Sequence, residues 1–193
     1  MGSISREMGQ ENGSRIYGRV ERSHRVGDGL RELPQQLLRQ LVENIRALLA
    51  GGILRNTKIT LATSHTSGVT DSATARQNID DTAKARDASR SSYGAGPGGS
   101  VKLDIRLLTG ILKLAEAYSF SISELAGGSH SRGSRHYNGV TMDVNVINGR
   151  HVGKSHPDVA NFMQQCRKLG ATQVLGPGSP GHDTHVHCAW PIP

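Results

Sequence analysis

Two stretches of the chain alternate apolar and polar residues with period two. From Val140 to Ile147, Val140, Met142, Val144 and Val146 alternate with Thr141, Asp143 and Asn145. From Thr184 to Trp190, Val186, Cys188 and Trp190 alternate with His185 and His187. Successive side chains of a strand point to opposite faces, so each stretch reads as a strand with one buried face. His185 and His187 then project together. Cys188 goes to the other side as a core residue. A carboxylate in the middle of such a strand is unfavourable unless it is paired or meets a cation. Asp143 facing the histidine pair removes that cost.

Other elements assemble around these strands. Leu37, Leu38, Leu41, Val42, Ile45, Leu48 and Leu49 recur at three- and four-residue spacing, which predicts an amphipathic helix. Pro34 suits its first turn, and Gly51-Gly52 is expected to stop it. Such a helix packs on its own core or docks a partner through residues 33–54. Lys58 to Thr63 alternates as a short strand. Asp104 is placed to cap a helix bearing Ile105, Leu107, Leu108, Ile111, Leu112, Leu114 and Ala115. Phe120 to Leu125 reads as a strand, and Asn148-Gly149 as a tight turn. Pro157 opens a helix with Val159, Phe162, Met163, Cys166 and Leu169 on one side, ended by Gly170. Val174-Leu175 is a short strand.

Residues 65–98 are rich in Ser, Thr, Ala, Asp, Arg and Gly, with almost no large apolar side chain. They read as a low-complexity linker, with a boundary near Gly98. The expected organisation is a flexible arm over 1–30, a helix and short strand over 31–64, the linker over 65–98, and a compact domain over 99–193. The fold class is α+β: a small antiparallel sheet carrying Asp143 and the histidine pair, flanked by helices, with an N-terminal helical extension.

Composition narrows the partners. The net charge of +7 favours polyanionic surroundings such as nucleic acid, acidic lipid or the bacterial cell wall. Aromatic residues are only 4% of the 193, and no Lys/Arg block stands out, which argues against a base-stacking nucleic-acid platform. No apolar run reaches the roughly 18–20 residues of a membrane span. The N-terminus shows no apolar signal-peptide core. The expectation is a soluble protein with no signal peptide. The two cysteines, Cys166 and Cys188, are too few for a disulfide framework and read as reduced, buried thiols.

His136 and Asp143 upstream, with His185 and His187 downstream, supply nitrogen and carboxylate donors of the kind zinc accepts. A lone His-x-His is more often packing or surface. Together with Ser134-x-His136-x-x-Gly139-x-x-x-Asp143 it points to a metal. Neither an HExxH helix nor paired CxxC elements compete.

These residues resemble the superfamily of D-Ala-D-Ala carboxypeptidases and murein endopeptidases, which also includes lysostaphin-type enzymes and the hedgehog domain. Its pattern is His, six residues, Asp, and a distant His-x-His. Here His136, Asp143 and His185-Val186-His187 match it, and Ser134 and Gly139 are typical of the carboxypeptidase branch. The likeness covers roughly residues 100–193. It implies one Zn2+ per chain held by His136, Asp143 and His187. It implies His185 as general base or proton shuttle, with His182 supporting the oxyanion or orienting the water. The branch's usual Ser-Gly-Tyr-Arg-like element is missing after the preceding strand, where Ser123-Glu124-Leu125-Ala126-Gly127-Gly128-Ser129-His130 stands. Arg132 or Arg135 would have to substitute, beside Ser134, in binding substrate. His130 reads as a polar loop residue, and His24, His65, His151 and His156 as solvent-facing.

The resemblance implies a zinc metallopeptidase acting on bacterial peptidoglycan, as carboxypeptidase or endopeptidase. Phage lysis, injection as an effector or non-classical export would bring it to the wall. The alternative is a non-catalytic zinc-binding module for recognition, or for assembly in a phage tail or secretion apparatus.

Overall fold

The computed structural model describes residues 34–193. The arm expected over 1–30 lies outside them. Residues 35–193 form one compact unit, with helices α1 (Gln35–Arg55), α2 (Ala75–Ala83), α3 (Ile105–Ala117) and α4 (Val159–Lys168). Its strands are β1 (Ile59–Leu61), β2 (Ala88–Ser89), β3 (Ser100–Val101), β4 (Phe120–Glu124), β5 (Thr141–Ile147), β6 (Arg150–His151), β7 (Gln173–Leu175) and β8 (Val186–Ala189). The α+β class is as expected.

The main sheet runs β1-β4-β5-β8-β7, with β6 also on β5. Every pairing in it is antiparallel except β1 with β4, which is parallel. The register sets Glu124 of β4 opposite Asp143 of β5, and Asp143 opposite His187 of β8. One row of three ionisable residues therefore crosses three strands. The alternation holds: Val140, Met142, Val144, Val186, Cys188 and Trp190 are all buried in the core. Asn148 and Gly149 both take positive φ, which a two-residue hairpin turn between β5 and β6 requires.

Beneath the sheet, α3 and α4 supply Leu107, Leu108, Ile111, Leu114, Phe162 and Cys166 to one apolar cluster. Asp104 caps α3 by accepting the Arg106 N–H. Gly110 is needed there, since a Cβ would meet the Trp190 ring at 2.2 Å.

The structure departs from expectation at three places. Helix α1 runs through Gly51-Gly52 to Arg55, because Ile53 beyond the glycines continues the buried side that Ala50 occupies before them. Most of its apolar stripe (Leu37, Leu38, Leu41, Val42, Ile45 and Leu48) is exposed. Residues 65–98 are no linker. They hold α2, capped by Thr74, and β2, which pairs with β3. Ala73, Ala75, Asn78, Ile79, Thr82 and Ala88 are buried there, so small and hydrogen-bonded side chains replace large apolar ones. Lastly, Cys166 and Cys188 form a disulfide. Both sit on the core sides of α4 and β8, which pack together with their Cα atoms 6.4 Å apart.

Candidate metal centre

Asp143 lies in the central strand and is 5% exposed. Its Oδ1 is 2.9 Å from Nδ1 of His187, its partner in the ladder. Its Oδ2 is 3.3 Å from Nε2 of His136 and 3.8 Å from Nε2 of His185. His136 arrives on a single 3-10 turn, Arg135–Asn138, opened by Ser134, whose hydroxyl accepts the His136 N–H. Gly139 closes that turn in the left-handed region, with φ of 68°.

The His136 ring is fixed by its back nitrogen. Nδ1 donates to the Leu125 carbonyl at 2.5 Å, so Nε2 faces Asp143. That Nε2 has no hydrogen-bond partner although it is buried: at 3.3 Å from Oδ2 it is near the carboxylate without hydrogen-bond geometry. A buried nitrogen left unsatisfied is costly, and a cation at this point satisfies nitrogen and carboxylate together.

His130 completes a set that sequence spacing does not show. Its ring stacks on His136 with centroids 3.7 Å apart and planes 4° apart. Donor atoms of His130, His136 and Asp143 lie within 4.8 Å of one another, a group that could hold a metal ion. His130 follows a Gly/Ser loop without periodicity, so only its nearness in sequence to His136 hints at the placement.

Burial disfavours a charged His136 ring, but Asp143 outweighs it and raises the His136 pKa. Burial disfavours the Asp143 carboxylate, but His136 and His187 outweigh it and hold the carboxyl well below the usual range. Burial, then the neighbouring His136, pushes the His130 pKa down to about 4, which leaves a neutral ring at physiological pH. Burial likewise lowers the pKa of His185, reinforced by His182 and His187 against the pull of Asp143. The His182 ring lies 4.9 Å from that of His185 and 5.5 Å from that of His187.

These groups line a cavity of about 780 Å³, whose walls include Glu124, Asn145, Gln173, Ser134 and Arg135. Arg135 donates to the Thr172 hydroxyl, which fixes it at the wall. Arg132 is exposed and is not among the lining residues. Of the histidines read as solvent-facing, His151 is exposed at the rim, and His24 is outside the described residues. His65 and His156 are buried instead. His156 bonds the Ile147 carbonyl and the Asp158 N–H. His65 is held by two carboxylates.

Comparison of the chain with known protein families, curated proteins and solved structures finds no match.

Proposed function

We propose that the chain is a zinc-dependent peptidase that hydrolyses peptide bonds in the stem peptides or cross-links of bacterial peptidoglycan. The observation that carries this reading is the buried Asp143 carboxylate between His136 and His187, with His136 Nε2 unsatisfied beside it, at an open cavity. Two imidazoles and a carboxylate are a donor set of catalytic zinc. His136, Asp143 and His187 would hold the ion, with His130 stacked behind His136. When bound, zinc lowers the pKa of a water to about 7 and polarises a carbonyl.

The chain's own residues supply the rest. His185, neutral because burial lowers its pKa, accepts a proton at Nε2 and returns it to the leaving amine. His182, beside it, donates to negative charge developing on the substrate carbonyl oxygen. Ser134 and Arg135 line the cavity where substrate must lie, and Arg132 stands exposed outside that lining.

The net charge of +7 favours an anionic wall. The Cys166–Cys188 disulfide suits an oxidising compartment outside the cytoplasm, where such a substrate is found. The exposed apolar stripe of α1 supports a docking role for that helix.

The test is incubation of zinc-loaded protein with purified peptidoglycan fragments, followed by mass spectrometry. Wild type should release peptide products. His185→Ala should keep stoichiometric zinc and lose about 10²–10⁴-fold in rate. His187→Ala should lose zinc, and His130→Ala should weaken its binding, since His130 shares the donor group of His136 and Asp143. Zinc binding by wild type without product from any wall chemotype would replace the peptidase by a zinc-binding recognition module.

A further inference from the structure

The 124–129 loop carries the backbone groups that orient two histidines of the centre. Leu125 O accepts from His136 Nδ1–H, and Gly127 O accepts from His130 Nε2–H at 3.1 Å. These bonds leave His136 Nε2 and His130 Nδ1 as the free ring nitrogens. Whatever fixes the loop therefore fixes which nitrogens meet a cation.

The 65–98 segment fixes it. Asn78 Oδ1 accepts the Ala126 N–H at 2.9 Å, and Ser91 Oγ accepts the Gly128 N–H at 2.9 Å. Ala95 N–H donates to Ser129 Oγ at 3.1 Å. Gly127 passes so close to Ala73 that a Cβ would lie 2.0 Å from the Ala73 carbonyl oxygen. At the start of the loop, Glu124 Oε1 accepts the Thr66 N–H at 3.1 Å, and Oε2 lies 2.7 Å from His65 Nδ1.

His65 has a second carboxylate. Its Nε2 is 2.7 Å from Asp71 Oδ1, and the ring is fully buried. An ionised carboxylate only accepts, so against two ionised carboxylates both ring nitrogens donate. A Glu124 carboxyl that keeps its proton, as burial favours, donates to the ring instead, and the bridge holds either way.

We propose that His65 is a positioning residue of the candidate metal centre. Clamped between Asp71 and Glu124, it locks the 124–129 loop to the 65–98 segment, and the loop's carbonyls then hold the His136 and His130 rings in their metal-facing orientation. The inference rests on the metal-binding part of the proposed function and is independent of the peptidase chemistry.

The test compares wild type with His65→Gln, whose donors sit on one terminal NH2 and cannot be placed on opposite sides to meet both carboxylates. Two readouts are used. Zinc titration should show affinity weakened by about 10–100-fold, the usual effect of losing a group that supports a ligand. Nitrogen-15 NMR of the metal-free chain should show a His136 Nδ1 proton shielded from exchange in wild type. In His65→Gln that proton should exchange freely while the α3 and β5 amide signals stay in place.

Should His65→Gln fail to fold, Asp71→Asn, which removes only the outer carboxylate, should move both readouts the same way by less. A His65→Gln or Asp71→Asn protein with wild-type zinc affinity and an unchanged His136 proton overturns the proposal. If wild type binds no zinc, the metal reading itself fails, and the protection of the His136 proton still decides whether His65 positions the ring.

Discussion

Asp143 and His187 stand opposite each other in the β5–β8 ladder, and their side chains meet Oδ1 to Nδ1 at 2.9 Å. The contact follows from register alone. A one-residue slip of β8 would send His187 into the core and Cys188 into the cavity. The geometry of the centre is thus set by the backbone pairing of the sheet, with the side chains placed by alternation.

Replacing Asp143 by Asn keeps the shape and removes the charge. Zinc affinity should fall by more than the roughly 10–100-fold typical of a supporting residue, because a donor itself is lost. Isothermal titration of both proteins measures it. Equal affinity would remove Asp143 from the donor set.

The disulfide joins residues 22 apart in the chain. Closing a loop of that size restricts the unfolded chain by about 3 kcal/mol. Cys166→Ala/Cys188→Ala should lower the urea midpoint accordingly, and reductant should destabilise wild type but leave the double variant unchanged. If reductant has no effect on wild type, the crosslink is not formed.

The His65 clamp has a pH signature of known sign. Burial opposes the charged ring, but hydrogen bonds to Asp71 and Glu124 outweigh it, so the folded pKa lies above the ordinary value. Its contribution is complete below about pH 6.5 and is lost as pH rises through the raised folded value. Asp71 behaves in the opposite sense: burial is outweighed by His65, its pKa is lowered, and its share disappears as pH falls through that value. Denaturation of wild type and His65→Gln from pH 5 to 9 should show a stability gap widest near pH 5–6 and shrinking at alkaline pH. A gap that widens with pH would contradict the clamp.

Gly127→Ala tests the backbone contact directly. The new Cβ would fall 2.0 Å from the Ala73 carbonyl oxygen, so backbone must shift. Destabilisation of about 1–3 kcal/mol is expected from such overpacking. Chemical denaturation reads it, and a neutral result would mean that the loop and the Ala73 backbone separate at little cost.

The sheet around Asp143 was legible in the sequence because period-two alternation survives at every position from Val140 to Asn145. The same holds for the cap at Asp104 and the turn at Asn148-Gly149, where one local requirement selects the residue. The 65–98 segment was illegible for a physical reason. Its burial relies on the small side chains of Ala73, Ala75 and Ala88, and on Asn78 and Thr82, which bond the Ser89 and Asn78 carbonyls. None of these leaves an apolar period. His65 and His130 stayed hidden with it, since partners 59 residues away and a ring stacked across a loop have no signature in spacing. The Cys166–Cys188 pairing needed the packing of α4 on β8, which no count of cysteines supplies.

The position of β8 in the sheet also carries a consequence for synthesis. It lies between β5 and β7, both of which come earlier in the chain. While the protein is being made, His136 and Asp143 emerge well before His185 and His187, and the slot between β5 and β7 stays open until β8 enters it. A chain interrupted before Thr184 would own the first half of the centre and none of the second. The pairing of Asp143 with His187 is therefore a late event in this protein's life, tied to closure of the sheet.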